Sequence, residues 1–302
     1  MAATTGQIAQ LLLPGIRKLT GEYRDMPVTW DKIFARGDSD MAVEKSVAMR
    51  FLPLPSLKVQ GAATVFDNAA GQRFTYTHVP VGIGLGYSFT HEAIADNLYK
   101  TQFNPTNLGL LRSFRQMKEI MCASILNLGN VFNPLIGGDL LSLFNTAHPV
   151  DGYTVPNTPT FQVGLNESTL NLANNQIRRF RDNAGLLVGA QGRKLVVPVE
   201  LRHVAKRLCD TPLRPGTADN DVNAIFENKD LADGYIAWDF LSSPYAWFVL
   251  SDIGGLIMLQ REGFTTSMWV DNTTDNLMVK AYERFATSFD DWRAAWGSYP
   301  TS

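Results

Sequence analysis

The residues best suited to chemistry in this sequence are histidines, and none of them completes a catalytic motif. His91 and Glu92 begin like the zinc-protease motif HExxH, but Ala95 stands where the second histidine would be. His148 precedes Pro149 in a polar stretch, where a histidine could act as a base but is more often part of a turn. The histidines therefore predict no catalytic centre by themselves.

Two acidic pairs are the candidate cation ligands. They are Asp38 with Asp40, and Asp219 with Asp221, and neither continues into an EF-hand loop. Together with His148, the first pair would suit a metal-dependent hydrolase, which stays open as an alternative function. The motifs GxSxG and GxxxxGK[ST] are absent. We therefore predict no enzymatic activity, catalytic residue, cofactor or specific metal site, and this points to a structural role.

The composition excludes several classes of protein. The 302 residues include 27 Lys and Arg against 29 Asp and Glu, and a net charge of -2 excludes a strongly basic nucleic-acid binder. Charged residues make up 19%, a low fraction that suits a protein hiding much of its surface in an assembly, and equally a well-buried enzyme.

Cys122 and Cys209 lack CxxC spacing, so we expect buried free thiols. Without a bilayer-length apolar run or a signal peptide, we expect a protein made in a cytoplasm, with no membrane partner.

The first 80 residues predict two outlying segments. Residues 1–44 are typical of an arm, whose few apolar side chains would gain order by packing on a partner or on a distant part of the chain. Residues 45–80 predict a long protruding hairpin, because Pro53 and Pro55 exclude a central strand. The best candidates for contacts between subunits are the large apolar side chains of these segments, although each could also pack within its own subunit: Trp30, Phe34, Phe51, Leu52 and Leu54.

The remaining sequence alternates helices and strands. Residues 81–89 predict a strand whose face of alternate glycines lets another backbone approach closely. A long helix is predicted over residues 105–128, with a buried stripe through Leu110, Phe114, Met117, Met121, Ile125 and Leu128. Further predictions are a helix at 167–181, short strands at 195–197, 247–250 and 256–259, and a long closing strand at 276–289.

Four short sequence motifs, in the order in which they occur along the chain, resemble those of the major capsid proteins of tailed phages, most closely the Mu-like major head subunits. They are Tyr87–Ile94 (YSFTHEAI), Leu143–Pro149 (LFNTAHP), Leu195–Pro198 (LVVP) and Ala281–Arg284 (AYER). The resemblance covers about residues 85–300, and the first 80 residues match in arrangement only. It implies an α+β chain with the HK97-like capsid fold.

The resemblance also implies a division of the chain. Residues 1–44 would be the N-terminal arm, 45–80 the E-loop, 81–189 with 263–302 the peripheral domain around a spine helix, and 190–262 the axial domain. In the E-loop, Lys58 is a weak candidate for the covalent cross-linking known in some relatives.

The implied function is a self-assembling head protein. Pentamers and hexamers would form an icosahedral shell around phage DNA, touched non-specifically, in a virion assembled in the host bacterial cytoplasm. Some relatives carry a charged, helical scaffolding region ahead of the arm, and this sequence shows none. We therefore expect a separate scaffolding protein, and a portal. An encapsulin-like nanocompartment shell and a tail-tube or sheath protein remain alternatives.

Overall fold

The computed structural model describes residues 23, 25–67, 70–96, 99–212 and 222–301, with the backbone alone at 94–95 and 99–104. The helices, numbered in chain order, are α1 His91–Ala95, α2 Tyr99–Asn127, α3 Glu167–Arg178, α4 Arg202–Cys209 and α5 Ala224–Glu227. The strands are β1 Ala35–Asp38, β2 Glu44–Arg50, β3 Gly71–His78, β4 Val81–Phe89, β5 Gly137–Gly138, β6 His148–Val150, β7 Tyr153–Val155, β8 Gly192–Val197, β9 Tyr235–Ala237, β10 Trp247–Ser251, β11 Leu256–Val270, β12 Leu277–Phe289 and β13 Ala295–Ser298. The mixture of helices and strands confirms the α+β class.

Two four-stranded sheets organise the body of the molecule. The first has the order β1-β11-β12-β4, in which β1 runs parallel to β11 and the other pairs are antiparallel. The second has the order β13-β10-β8-β9, with only β8 and β9 parallel. Smaller ladders join β2-β3-β5 and β6-β7. Helix α2 packs on β12 and β4, so it covers one face of the first sheet.

The long helix α2 begins earlier than the sequence predicts. Its 29 residues start at Tyr99, and Pro105 lies inside the helix rather than at its start. At 1.5 Å per residue the helix is about 43 Å long. A proline removes one backbone hydrogen bond, and packing of the later turns on β12 and β4 offsets that cost.

The buried face of α2 also differs from the predicted stripe. Leu110 and Phe114 are buried as expected, but Lys118 is buried in the next turn and Met117 is exposed. At the end of the predicted stripe Leu128 is exposed as well. Met117 and Leu128, about three turns apart, are therefore both exposed on the isolated subunit.

The strand β11 is longer than the predicted four residues. It continues to Val270, with register shifts between Gln260 and Thr265 where it pairs with β12. Glu262 and Gly263 interrupt the alternation of apolar residues there, which is why the sequence pattern indicated a shorter strand. The closing strand β12 confirms the predicted one within a residue.

The main core surrounds the second sheet. Strand β10 is buried along its whole length, and α3 packs on β8 and β10. The largest fully buried side chains here are tryptophans: Trp238, Trp247, Trp292 and Trp296. The expected axial domain, 190–262, therefore shares its core with α3 and with β13, which both lie outside those bounds.

The two cysteines confirm the prediction of buried free thiols for Cys122 and only in part for Cys209. Cys122 is buried and Cys209 is partly buried, and both are free thiols. Desolvation raises the pKa of the Cys209 thiol to about 12 and that of the Cys122 thiol further. Among the described helices, none combines the length and the apolar character that crossing a bilayer requires.

Candidate assembly interface

A protruding hairpin carries most of the predicted contact residues. Strands β2 and β3 pair antiparallel from Glu44 with His78 to Arg50 with Gly71, which confirms the hairpin that the sequence predicts. Beyond that last pair the chain leaves the ladder and returns, and residues 51–67 are named the distal loop. The prolines at 53 and 55 explain why no ladder forms there, since proline has no amide hydrogen to donate.

Charged and amide groups fix the hairpin to the body. The Arg50 guanidinium donates to Asp67 Oδ2 at 3.2 Å, across the stem of the loop, and to Asp151 Oδ2 at 2.6 Å, on the β6–β7 turn. Arg73 donates to the carbonyl oxygens of Asn183 and Pro149, and Asn183 Nδ2 donates to the Met49 carbonyl at 2.9 Å. The direction in which the distal loop leaves the body is therefore set by both strands.

His78 anchors the other end of the hairpin. Its ring is buried, with Nε2 2.9 Å from Ser46 Oγ and Nδ1 in contact with Ser288 Oγ of β12. Desolvation lowers the pKa of His78, and the Glu44 carboxylate opposes that shift. The neutral ring thus joins both strands of the hairpin to the first sheet.

The distal loop exposes an unusual amount of apolar surface. Phe51, Leu52 and Leu54 are exposed, as contact residues must be in an unassembled subunit. The sequence prediction did not include four further apolar side chains of the loop that are also exposed: Leu57, Val59, Val65 and Phe66. The sequence feature that could have indicated them is the low charge of this region, since Lys58 is the single charged residue among the sixteen residues 51–66.

Trp30 and Phe34 lie elsewhere, in the core of their own subunit. Trp30 is 3% exposed and Phe34 is 2% exposed, and Phe34 packs against Trp238 in the core of the same chain. Little of either side chain is left exposed to a neighbouring subunit. These two residues therefore anchor residue 23 and residues 25–34, named the arm segment, to their own subunit. This is the second possibility that the sequence left open for them.

A buried polar cluster holds that arm segment on α2. Its members are Lys118, Glu119, Gln260, Glu283 and Tyr23. Lys118 Nζ is 2.5 Å from Glu283 Oε1 and 3.1 Å from Gln260 Oε1, and Tyr23 Oη donates to Glu283 Oε2 at 2.7 Å. Burial lowers the pKa of Lys118, and the adjacent Glu283 carboxylate opposes that shift. The contact with Glu283 therefore offsets part of the cost of burying the Lys118 side chain.

Glu119 extends the cluster to the short 3-10 helix Trp30–Lys32. Its Oε1 accepts from the Thr29 amide at 2.6 Å and from the Trp30 amide at 3.3 Å. Its Oε2 accepts from Trp238 Nε1 at 2.8 Å. One carboxylate thus connects the arm segment, α2 and the core beneath the second sheet.

The candidate hydrolase residues do not form a site. His148 is completely buried, its ring stacks on Trp292 with centroids 4.3 Å apart, and its Nδ1 is 2.6 Å from Asp139 Oδ2. Asp38 and Asp40 are exposed around β1, and no metal-binding group of three ligands occurs within the described part of the chain. Residues 219 and 221 lie outside the described residues.

The glycine face of β4 shows why glycine is needed there. A Cβ at Gly86 would meet the Val279 carbonyl oxygen at 2.8 Å, and one at Gly82 would meet Tyr282 Oη at 2.7 Å. The predicted close approach is therefore made by β12, which supplies both the backbone and an aromatic ring.

Comparison with known proteins gives one family and a set of similar folds. A family model described as phage capsid protein matches residues 75–298. No curated protein matches the sequence. A structure from Microbacterium phage Oxtober96 is 14% identical with a TM-score of 0.54, covering 91% of both chains.

Two further solved structures are similar to this chain. A chain of the bacteriophage JBD30 capsid decorated with minor capsid protein trimers is 15% identical with a TM-score of 0.55, covering 71% of this chain and 91% of that one. A virus-like particle from Pyrococcus furiosus is 9% identical with a TM-score of 0.54, covering 94% and 98%. At these identities the likeness concerns the fold.

Proposed function

The chain belongs to the phage capsid protein family and is a major capsid protein with the HK97-like fold, and we propose that it forms its icosahedral shell as pentamers and hexamers around phage DNA. One surface on a subunit would contact a different surface on the next, because such heterologous contacts close into rings. The rings would then tile the shell of the virion.

The observation that carries this proposed mechanism is the apolar distal loop. The loop exposes Phe51, Leu52 and Leu54 together. When a partner removes these side chains from water, the free energy of the complex falls by roughly 25 cal/mol per Å² of buried apolar surface. The Leu57 side chain at the middle of the loop is fully exposed, so the loop does not bury it on its own subunit and a neighbouring subunit is the proposed partner.

The division of the chain into domains is also a proposal. We assign 1–44 to the arm, 45–80 to the E-loop, 81–189 with 263–302 to the peripheral domain, and 190–262 to the axial domain. In this division, α3 of the peripheral domain packs on β8 and β10 of the axial domain, so the two share a core. Residues 1–22 lie outside the described residues, so their proposed reach toward neighbours rests on the resemblance.

Further partners are also proposals. We infer a separate scaffolding protein, a portal, non-specific contact with the packaged DNA, and assembly in the host bacterial cytoplasm. The four phrases described above support a relation to the Mu-like major head subunits in particular.

Negative-stain electron microscopy of the overexpressed protein tests the proposal. We expect closed shells or rings of five and six subunits. Filaments would favour a tail-tube or sheath protein instead, and a persistent monomer with metal-dependent turnover would favour the hydrolase. Particles from the native source that enclose a cargo protein instead of DNA would indicate a nanocompartment shell.

A further inference from the structure

We propose that Lys118 of α2 forms an isopeptide bond with Gln260 of β11, and that Glu283 transfers the protons. These three side chains of the buried polar cluster are 3%, 9% and 1% exposed. The bond joins two elements of one subunit and does not involve the distal loop. Such a self-modification of the chain is independent of how subunits assemble.

The Lys118 amine and the Gln260 amide are already in contact. Lys118 Nζ is 3.1 Å from Gln260 Oε1. A carbonyl bond is about 1.23 Å long, so Nζ lies within about 4.3 Å of the carbon Cδ that it attacks. Reacting groups that are well oriented within one molecule reach effective concentrations of roughly 10⁵–10⁸ M, which offsets the low reactivity of an amide.

Glu283 contacts both nitrogens of the reaction with a single oxygen. Its Oε1 is 2.5 Å from Lys118 Nζ and accepts a hydrogen bond from Gln260 Nε2 at 3.1 Å. That oxygen can take a proton from the attacking amine and deliver it to the leaving nitrogen, first as a general base and then as a general acid. Tyr23 Oη donates to the other oxygen, Oε2, at 2.7 Å and so orients the carboxylate.

The surroundings favour a neutral, nucleophilic amine. The ring centroids of Tyr23, Trp30 and Phe285 lie 5.9, 5.8 and 5.0 Å from Nζ. Burial lowers the pKa of Lys118, and the Glu283 carboxylate opposes that shift. Transfer of one proton from Nζ to Oε1 removes both charges from this desolvated site. A cleft of about 440 Å³ beside the cluster gives ammonia a way out.

Strand β11 holds the Gln260 amide in a fixed orientation. Gln260 continues the buried row of Leu256 and Met258, where a polar side chain is unusual. Its Nε2 donates to the carbonyl oxygens of Glu262 at 2.7 Å and Arg284 at 3.2 Å, next to the register shift in the strand. These bonds keep Oε1 turned toward α2.

The reaction balances without an oxidant or a further reactant. The Lys118 nitrogen forms a bond to Gln260 Cδ, the bond between Cδ and Nε2 breaks, and the carbonyl is retained. Two protons pass in turn from Nζ through Glu283 to the leaving nitrogen, which departs as ammonium, while Glu283 is again a carboxylate. The product is a secondary amide between residues 142 positions apart, and the chain loses about 17 Da as ammonia.

Mass spectrometry of the denatured full chain tests the proposal. We expect the native protein to be lighter by one ammonia than Lys118→Arg and Gln260→Ala, after correction for each substitution. Trypsin should release the peptide that holds Lys118 joined to the one that holds Gln260. Native protein that keeps both peptides separate after prolonged incubation in the folded state would overturn the proposal and leave the proposed function standing.

Lys118→Arg is the matched control for the loss of ammonia. It keeps a cation beside Glu283 but has no primary amine to attack the amide. Ring closure of an asparagine also releases ammonia, and it would continue in this variant. An equal loss of mass from the native protein and from Lys118→Arg would therefore contradict the proposal.

The role of Glu283 has its own measurement. Glu283→Gln should slow formation of the bond by roughly 100-fold or more, because it removes the proton carrier. Glu262→Gln is the control, since that carboxylate is half exposed and pairs with Arg284 outside the cluster. Circular dichroism verifies that both variants are folded. A folded Glu283→Gln variant that forms the bond at the native rate would exclude Glu283 from the reaction.

Discussion

The distal loop and the buried polar cluster invert the usual distribution of side chains in opposite ways. The loop places Phe51, Leu54 and Leu57 in solvent, while the cluster places Lys118 and Glu283 inside the protein. Exposed apolar groups cost the isolated subunit little and become favourable when a partner covers them. The buried charges are held by each other and by hydrogen bonds from Tyr23 and to Gln260, so their geometry fixes one arrangement of α2, β12 and the arm segment. The loop is built for a contact between subunits, and the cluster for order within one.

The largest effect on stability is expected from Glu283→Ala. It leaves the Lys118 ammonium buried without its partner and removes the acceptor of Tyr23 Oη, and such a loss costs about 3–5 kcal/mol. Urea unfolding of the unassembled subunit measures it. The control is Glu262→Ala, which removes a half-exposed partner 3.3 Å from Arg284 and should cost less than about 1 kcal/mol. Equal losses in the two variants would show that the cluster has no special role.

Arg50→Gln should loosen the stem of the loop without unfolding the body. The side chain would lose its ion pairs with Asp67 and Asp151, so the loop should sample more conformations. We expect faster cleavage by chymotrypsin within residues 51–67 of the unassembled subunit. Arg178→Gln is the control, because Arg178 forms a single exposed pair with Asp230 at 3.9 Å. Unchanged cleavage would mean that the ladder alone orients the loop.

Acid should weaken the end of the hairpin that is attached to β12 through His78. Burial lowers the pKa of this histidine in the folded subunit below its ordinary value of 6.5, so the unfolded chain binds a proton first as the pH falls. The stabilisation by neutral His78 is present above pH 6.5 and declines below it, until the folded form is protonated too. His78→Gln should flatten this part of the stability profile, measured by urea unfolding from pH 7.5 to about 5. Parallel profiles for the two proteins would contradict the assignment.

The smallest effect on subunit stability is expected from Leu57→Asp. The native side chain is fully exposed, so the free energy of unfolding should change by no more than about 0.5 kcal/mol. Assembly should nevertheless be lost, since a carboxylate would have to be desolvated in the contact. Size-exclusion chromatography separates subunits from particles. Normal assembly of this variant would remove the distal loop from the proposed interface.

The local patterns were sufficient to predict the hairpin and the closing strand. These patterns are local, because they involve residues that are close together in the sequence. The two prolines, the turn after them and the alternation of apolar residues indicate the strands observed as β2, β3 and β12. The sequence left open whether Phe51, Leu52 and Leu54 would pack within their own subunit, and the structure exposes all three.

The buried polar cluster could not be predicted with the same certainty, because it depends on remote pairs. Lys118 and Glu283 are 165 residues apart, and Tyr23 and Glu283 are 260 apart. A faint signal exists, since Glu283 occupies an inward position between Ala281 and Phe285. The burial of Trp30 and Phe34 likewise depends on Glu119 and Trp238, which no spacing relates to them.

The attachments at both ends of the hairpin also determine how a mechanical load on the distal loop would be distributed. A pull on residues 51–67 would reach the turn at Asp151 through Arg50, the carbonyls at 149 and 183 through Arg73, and Ser288 of β12 through His78. Tension from a neighbour would therefore be divided among several parts of the body before any backbone ladder had to separate. In a shell stretched by the contents it encloses, such sharing would delay the rupture of any single joint.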